Sequence, residues 1–301
     1  MSDWLVSLEG TAQGETVALA LALLAAFLHA VFGALQKGRH DPWATRWAID
    51  SSLVVLSFPM LFLVPFPEPH MWPIFVGMIV IHFGYKFLQA MAYVRGAYTV
   101  VYPIVRGMGP FFTVIGAWIL FGETFTGLQW FGLAVLLSGI FGLAAYNLYF
   151  LSTSRDTLAP ALAFAVATGL FVALYTTYDA YGIRATADPF TFLAWFFFLG
   201  AIDFPVMMAV VPRMRARIAA VDLRPLLTRG AIGALVAYGS FGSVMLATRL
   251  DDVGEAAVVR ETSTVFAAVI GWVFLKETVG PRRVTLMALI AAGAVIVEMG
   301  G

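Results

Sequence analysis

Apolar runs of about 20 residues recur down this chain, each long enough to cross about 30 Å of hydrocarbon as an α-helix. They lie near 16–36, 46–66, 73–94, 99–121, 128–149, 158–183, 189–212, 229–249, 255–275 and 284–300. Turn chemistry fills the gaps: GRHDPW at 38–43, PFPEP at 65–69, GETFTG at 122–127, ADP at 187–189 and VGP at 279–281. Gly, Pro and Asp clusters of this kind end helices. The pattern predicts an all-α integral membrane protein with ten transmembrane helices. Composition agrees: 61% of residues are hydrophobic and 12% charged, against about half and a quarter in soluble domains. The longest connection, 212–225, is basic and is expected along the membrane surface.

Several function classes drop out. Net charge is zero, so nothing points to nucleic acid. The chain has no cysteine, which removes disulfides, thiolate zinc sites and thiol nucleophiles. Neither a GxxxxGK[ST] loop nor an HExxH pair is present. No cofactor and no metal are expected. The first 16 residues carry Asp3, Glu9 and Glu15 but no Lys or Arg, so no cleaved leader is expected.

One stretch occurs twice. RGMGPFFTVIGAWILFGET (106–124) lies over RETSTVFAAVIGWVFLKET (260–278) without a gap. The two share Arg106/Arg260, Phe112/Phe266, Trp118/Trp272, Glu123/Glu277 and Thr124/Thr278, and Arg95 and Arg249 fall in the same register. Asp41-Pro42 after the first apolar run is echoed by Asp188-Pro189 after the sixth, with Lys37 over Arg184. Ten helices therefore divide into five (1–150) and five (151–301). An odd number of crossings separates the copies, so each runs through the membrane in the opposite sense. Inverted repeats of this kind are a mark of secondary transporters, where two near-equivalent halves exchange conformations.

The connections on one side hold Lys37, Arg39, Arg46, Arg95, Arg155, Arg213, Arg215, Arg217, Arg224, Arg229, Lys276, Arg282 and Arg283; the other side holds Arg184 and Arg249. The positive-inside rule puts the first set in the cytoplasm and both termini outside.

The stretch from Pro103 to Gly122-Glu123, followed by Gln129, Gly132 and Gly139, resembles the EamA-type domain of the drug/metabolite transporter superfamily. RETSTVFAAVIGWVFLKE (260–277), with Gly293 beyond it, resembles a second copy. The resemblance covers nearly the whole chain. It implies movement of small metabolites, such as amino acids, sugars, nucleotide derivatives, choline-like cations or drugs. It also implies a central cavity lined by helices 1, 3, 4, 6, 8 and 9. Characterised ten-helix members usually keep both termini in the cytoplasm, the reverse of the charge count here.

Charged side chains are costly at the bilayer centre, by about 2.5–3.5 kcal/mol on insertion scales, and are expected to face a cavity or a partner. Arg260 and Arg106 each lie about 8 Å deep at 1.5 Å per residue, and approach one region from opposite sides. Helix 3 carries His82, Lys86, Gln89 and Tyr93 on one face, with Tyr85 beside them. Helix 1 places His29 and Gln36 seven apart; helix 6 offers Tyr175, Tyr178, Asp179 and Tyr181. Helix 9 holds Glu255, Arg260 and Glu261, and helix 7 holds Asp203, read as structural. The expected substrate contacts are His29, Tyr85, Lys86, Gln89, Arg106, Tyr175, Asp179, Arg260 and Glu261. The candidates for proton coupling are Asp179, Glu255 and Glu261. Each has a plainer reading: Arg260 and Glu261 could neutralise one another, His29 could be a packing residue, and the tyrosines could be core. Gly132 and Gly139 are expected to let helix 5 pack closely on a neighbour, and Glu123 and Glu277 to cap or anchor.

Arg106, Arg260 and Lys86 favour a carboxylate or phosphate, whereas Asp179, Glu255 and the helix 6 tyrosines favour an amine. Both sets together suit an amino-acid-like zwitterion, and the alternative cargo is a quaternary-ammonium or other organic cation. The expectation is a transporter, not an enzyme, multi-pass in a bacterial inner (cytoplasmic) membrane, as a monomer or homodimer. An intramembrane enzyme built on Asp179 and Asp203 would leave the repeat unexplained and lacks the glycine expected before its second aspartate. A membrane scaffold remains as a rival: it would tolerate loss of Lys86 and Arg106 with no change in any flux.

Overall fold

A computed structural model describes residues 2–36, 41–96, 98–151, 158–219, 221–273 and 280–301. Lys37, Arg39, Arg155, Lys276, Glu277 and Thr278 lie outside the described residues. Of the side chains of Gln36, Trp272 and Arg283 nothing is described. The described chain is helical: α1 (Ser2–Ser7), α2 (Ala12–Gln36), α3 (Pro42–Ser57), α4 (Met71–Arg95), α5 (Tyr98–Phe121), α6 (Gly127–Leu151), α7 (Leu158–Arg184), α8 (Pro189–Ala201), α9 (Asp203–Val210), α10 (Pro212–Ala219), α11 (Leu223–Leu250), α12 (Val253–Arg260), α13 (Ser263–Val273) and α14 (Pro281–Met299). Each of the apolar runs holds helix. Among the described residues seven spans are long and apolar enough to cross a membrane, and α14 is a shorter apolar helix. Only 28–50% of the most apolar window in each span is buried within the protein. The outward remainder, which includes Val80, Ile119, Trp118 and Phe131, needs lipid as its solvent.

The sequence pattern missed three interruptions. The second run, placed at 46–66, begins at Pro42 and closes in a 3₁₀ turn at Phe58–Phe62. The seventh breaks at Ile202 and the ninth at Glu261-Thr262. Hydropathy stays high through these points, so an apolar-run search cannot see them. The basic 212–225 connection holds α10, tied to the start of α3 by Arg217 and Asp41 at 2.6 Å. The acidic N-terminus is also ordered: Leu5 and Leu8 pack on Ala247, Leu250, Ala256 and Val259 at one end of the bundle.

The echoed Asp-Pro pairs do the same local work. Asp41 accepts from the backbone N–H groups of Trp43 and Ala44, and Asp188 from that of Phe190. Each proline sits at the first turn, where a missing N–H costs nothing. Packing repeats in the same way. α2 lies along α11 and α4 along α7; α5 lies along α7, and α12 with α13 along α2; α6 and α14 pack on each other. Exchanging α2, α4, α5 and α6 for α7, α11, α12 with α13, and α14 maps each of these contacts onto another or onto itself.

The α6–α14 contact depends on the absence of side chains. A Cβ on Gly132 would sit 2.8 Å from the carbonyl oxygen of Gly293, and one on Gly139 would sit 2.7 Å from that of Leu286. Both obstacles are backbone, which cannot rotate away. Gly139→Ala is expected to lower the melting temperature in detergent, with a loss of about 1–3 kcal/mol from overpacking. Gly127→Ala, where nothing lies within 4 Å, is expected to leave it unchanged; equal behaviour of the two would show that close α6–α14 packing contributes no stability.

Candidate functional site

A cavity runs from the middle of the bundle toward the end where α2 finishes and α3 begins. It is lined by His29 and Phe32 of α2, Arg46, Asp50 and Leu53 of α3, and His82, Tyr85, Lys86, Gln89 and Tyr93 of α4. Tyr102 and Arg106 of α5, Tyr175 of α7, Phe196 and Phe197 of α8, and Phe241 of α11 complete it. Aromatic rings form its wall: Tyr175 lies with ring centres 4.8 Å from His82 and 4.9 Å from Tyr85, and Phe196 stands edge-on to His82 at 5.1 Å. A second, small pocket lies beyond this wall, lined by Tyr175, Thr176, Asp179, Phe241, Val244, Met245, Thr248 and Arg260. Tyr175 and Phe241 belong to both.

Of the expected contacts, His29, Tyr85, Lys86, Gln89, Arg106 and Tyr175 line the cavity. Asp179 and Arg260 line the small pocket, and Glu261 sits behind Arg106. Glu255 stands apart from the cavity: it pairs with the Gln129 side chain, near the chain's last residue. Helix 9 reaches only the small pocket, while α3 and α8, absent from the expected lining, supply Arg46, Asp50, Phe196 and Phe197. Arg46 and Asp50 were legible as a pair four residues apart within an apolar run. The aromatic residues of α8 carried no such signal, because buried and cavity-facing phenylalanines look alike in sequence.

The charges are sorted into closed sets. The Lys86 ammonium, 2% exposed, donates to Asp50 at 2.9 Å, Asp203 at 2.6 Å and the Gly200 carbonyl at 2.5 Å. Arg46 adds a contact to Asp50 at 3.0 Å. Two cations and two carboxylates thus neutralise one another across α3, α4 and α9, so Lys86 is not a free anion ligand. Arg106 is equally occupied. Its guanidinium meets Glu261 at 2.9 Å, and donates to Ser263 Oγ at 2.8 Å, the Arg260 carbonyl at 3.3 Å and His29 Nε2 at 3.4 Å. His82 Nε2 holds Asp179 Oδ2 at 2.8 Å, and Asp179 Oδ1 is buried with no hydrogen-bond partner. Arg260 is 4% exposed.

The opposite end of the bundle is tied shut. Glu123 accepts from the backbone N–H groups of Val253 and Gly254, both at 3.0 Å, capping α12 as its position after α5 suggested. Burial raises the Glu123 carboxyl pKa above its usual range, and the two N–H bonds oppose that shift. Arg184 lies 3.4 Å from Glu123 and donates to the carbonyls of Thr248 and Asp251, both at 2.8 Å. Arg249 donates to Glu9 at 2.6 Å and to the Thr186 carbonyl at 2.7 Å. The two arginines that stood alone in the charge count therefore meet at one end, fastening α7, α11 and α12 to the N-terminal segment.

Because Lys86 neutralises two carboxylates, removing it leaves buried uncompensated charge. Lys86→Met is expected to destabilise the protein by about 3–5 kcal/mol, read as a lower melting temperature and folded yield. An unchanged melting temperature would show the ammonium to be dispensable to the fold.

No curated protein matches the chain. A solved crystal structure, described only as that of a protein, covers 95% of this chain with 97% of its own length, at a TM-score of 0.71 and 16% identity. That likeness shows the fold alone. The model of the EamA-like transporter family matches residues 16–145 and again residues 159–299, taking in both copies of the repeated arginine stretch. The chain therefore belongs to the EamA-like transporter family.

Proposed function

We propose that the protein is a secondary transporter that moves a small polar metabolite by alternating access through the central cavity. One observation carries this reading: a cavity walled by buried charged side chains, inside a bundle whose outer face is apolar, reaches toward one end while bonds from Arg184, Glu123 and Arg249 close the other. Charges set that deep mark a cargo path. The mirrored packing of the two halves supports five-helix units at 1–150 and 151–301 that exchange conformations. Rupture of the tied end and collapse of the cavity would turn the site to the other side.

The cargo we infer is an amino-acid-like zwitterion. The small pocket behind the aromatic wall offers the Arg260 guanidinium and the Asp179 carboxylate, so both ends of a zwitterion find a counter-charge. A quaternary-ammonium cargo is less well served, because Arg106 and Arg260 stand beside the same rings. We place it in a bacterial inner membrane, and the distribution of Lys and Arg supports an orientation with both termini outside.

The chain's lack of cysteine makes a direct test simple. A cysteine placed at Gln89, in the cavity, is expected to react with a membrane-impermeant maleimide applied from the side rich in Lys and Arg. One placed at Val253, buried at the tied end, is expected to stay protected. In proteoliposomes loaded with unlabelled amino acids, counterflow of a labelled one is expected. Equal labelling of both positions from both sides, with no counterflow of any amino acid, organic acid, sugar, nucleotide or quaternary amine, would overturn the transporter reading.

A further inference from the structure

Arg106 and Arg260 occupy equivalent positions 154 residues apart, yet among the described residues only Arg106 has a carboxylate in direct contact. The reason is visible in the residue that follows each. Arg260 is followed by Glu261, whereas Arg106 is followed by Gly107. The repeat therefore supplies two arginines and one glutamate, and Glu261 binds the arginine of the other copy, at 2.9 Å. Arg106 donates further bonds to Ser263 Oγ and to the carbonyl of Arg260 itself. Arg260 is left over. Its side chain is buried, its Nε has no hydrogen-bond partner, and its guanidinium makes no hydrogen bond or ion pair within 4 Å among the described residues. Asp179 lines the same small pocket, but its Oδ2 is held by His82.

A buried lysine in this position could shed its proton and become neutral. An arginine cannot, because guanidinium stays protonated in proteins. The charge therefore persists in a low-dielectric site whose nearby carboxylates, Asp179 and Glu261, are bonded to His82 and Arg106 instead, an arrangement that disfavours the empty state. A carboxylate from outside would relieve it, and guanidinium is the side chain best shaped to hold one by two parallel bonds. The pocket that contains Arg260 shares Tyr175 and Phe241 with the cavity, so a ligand entering the cavity reaches it past these two rings. The break between α12 and α13 directly after Arg260 places it where membrane helices are interrupted at ligand sites.

We propose that Arg260 is the anion anchor of the transport site, taking the carboxylate of the cargo at the floor of the cavity behind Tyr175 and Phe241, while its counterpart Arg106 is a structural pin. Resting on the transporter reading, this assigns opposite jobs to two residues that the repeat makes equivalent. Asp179, with its unpaired Oδ1 in the same pocket, faces the ammonium end of the same cargo.

The two jobs predict opposite effects on stability without cargo. Arg260→Gln removes an uncompensated charge, so the purified protein is expected to melt at the same temperature or higher. Arg106→Gln strands Glu261 and is expected to melt several degrees lower. Binding is then read by thermal shift with matched probes: L-leucine, its deaminated acid 4-methylpentanoate and its decarboxylated amine 3-methylbutylamine, with L-alanine and propionate as a smaller pair. The carboxylate-bearing compounds are expected to stabilise the wild type and not Arg260→Gln, with Arg260→Lys retaining a reduced shift. A melting temperature lowered as far by Arg260→Gln as by Arg106→Gln, or its failure to fold while Arg260→Lys folds but gives no carboxylate shift, would make Arg260 structural. Shifts from the amine alone, or carboxylate shifts that survive in Arg260→Gln, would equally overturn the proposal. Counterflow is scored separately: a carboxylate that stabilises the wild type through Arg260 but is never transported leaves the anchor standing and removes the transporter reading.

Discussion

Neutralising charge inside an apolar bundle is the constraint on which this structure turns. Lipid offers an unpaired charge nothing, so the deep ionisable side chains are gathered inward and matched. Lys86 draws Asp50 and Asp203 to itself and thereby locks α3, α4 and α9 together. Arg106 draws Glu261 across from the opposite copy and joins the two halves at their centre. These contacts are bonds between helices before they are anything else. They fix where the cavity walls stand, and only a charge they leave unmatched is available to a cargo.

Backbone satisfaction imposes the second layer of order. Starting a helix at an end of the bundle leaves backbone N–H groups that need partners. Glu123 meets that need at the start of α12 by accepting two N–H groups. Asp41 and Asp188 meet it at the starts of α3 and α8. Because Glu123 also approaches Arg184, the cap doubles as part of the closed end. A movement that opened this end would have to replace those bonds in the same step, which couples helix capping to cavity access.

Much of this was legible in the residues. The helices, the doubled arginine stretch, the Asp-Pro echo and the close-packing glycines all rest on local rules that act within one or two turns. His82, Lys86 and Gln89 line the cavity together, since helical spacing fixes which side chains share a face. Its chemistry was not legible. Lys86 looked like an anion ligand because Asp50 and Asp203 lie 36 and 117 residues away in sequence, and no periodicity announces a pairing at that range. Glu255 looked like a cavity carboxylate because helix 9 holds it near Arg260, yet it points to Gln129 instead.

Residue order alone makes the chain a helical membrane protein with a repeated arginine motif. Apolar length, turn residues and spacing are properties of a chain segment and survive without a fold. It even contained the imbalance of two arginines to one glutamate, in Gly107 against Glu261. Which arginine Glu261 would choose was decided only by the tertiary structure. A side chain can reach its neighbour in sequence or a residue 155 positions earlier, and the choice depends on where the helix break after Arg260 aims each group. Packing set that aim, and with it which guanidinium was left facing the pocket.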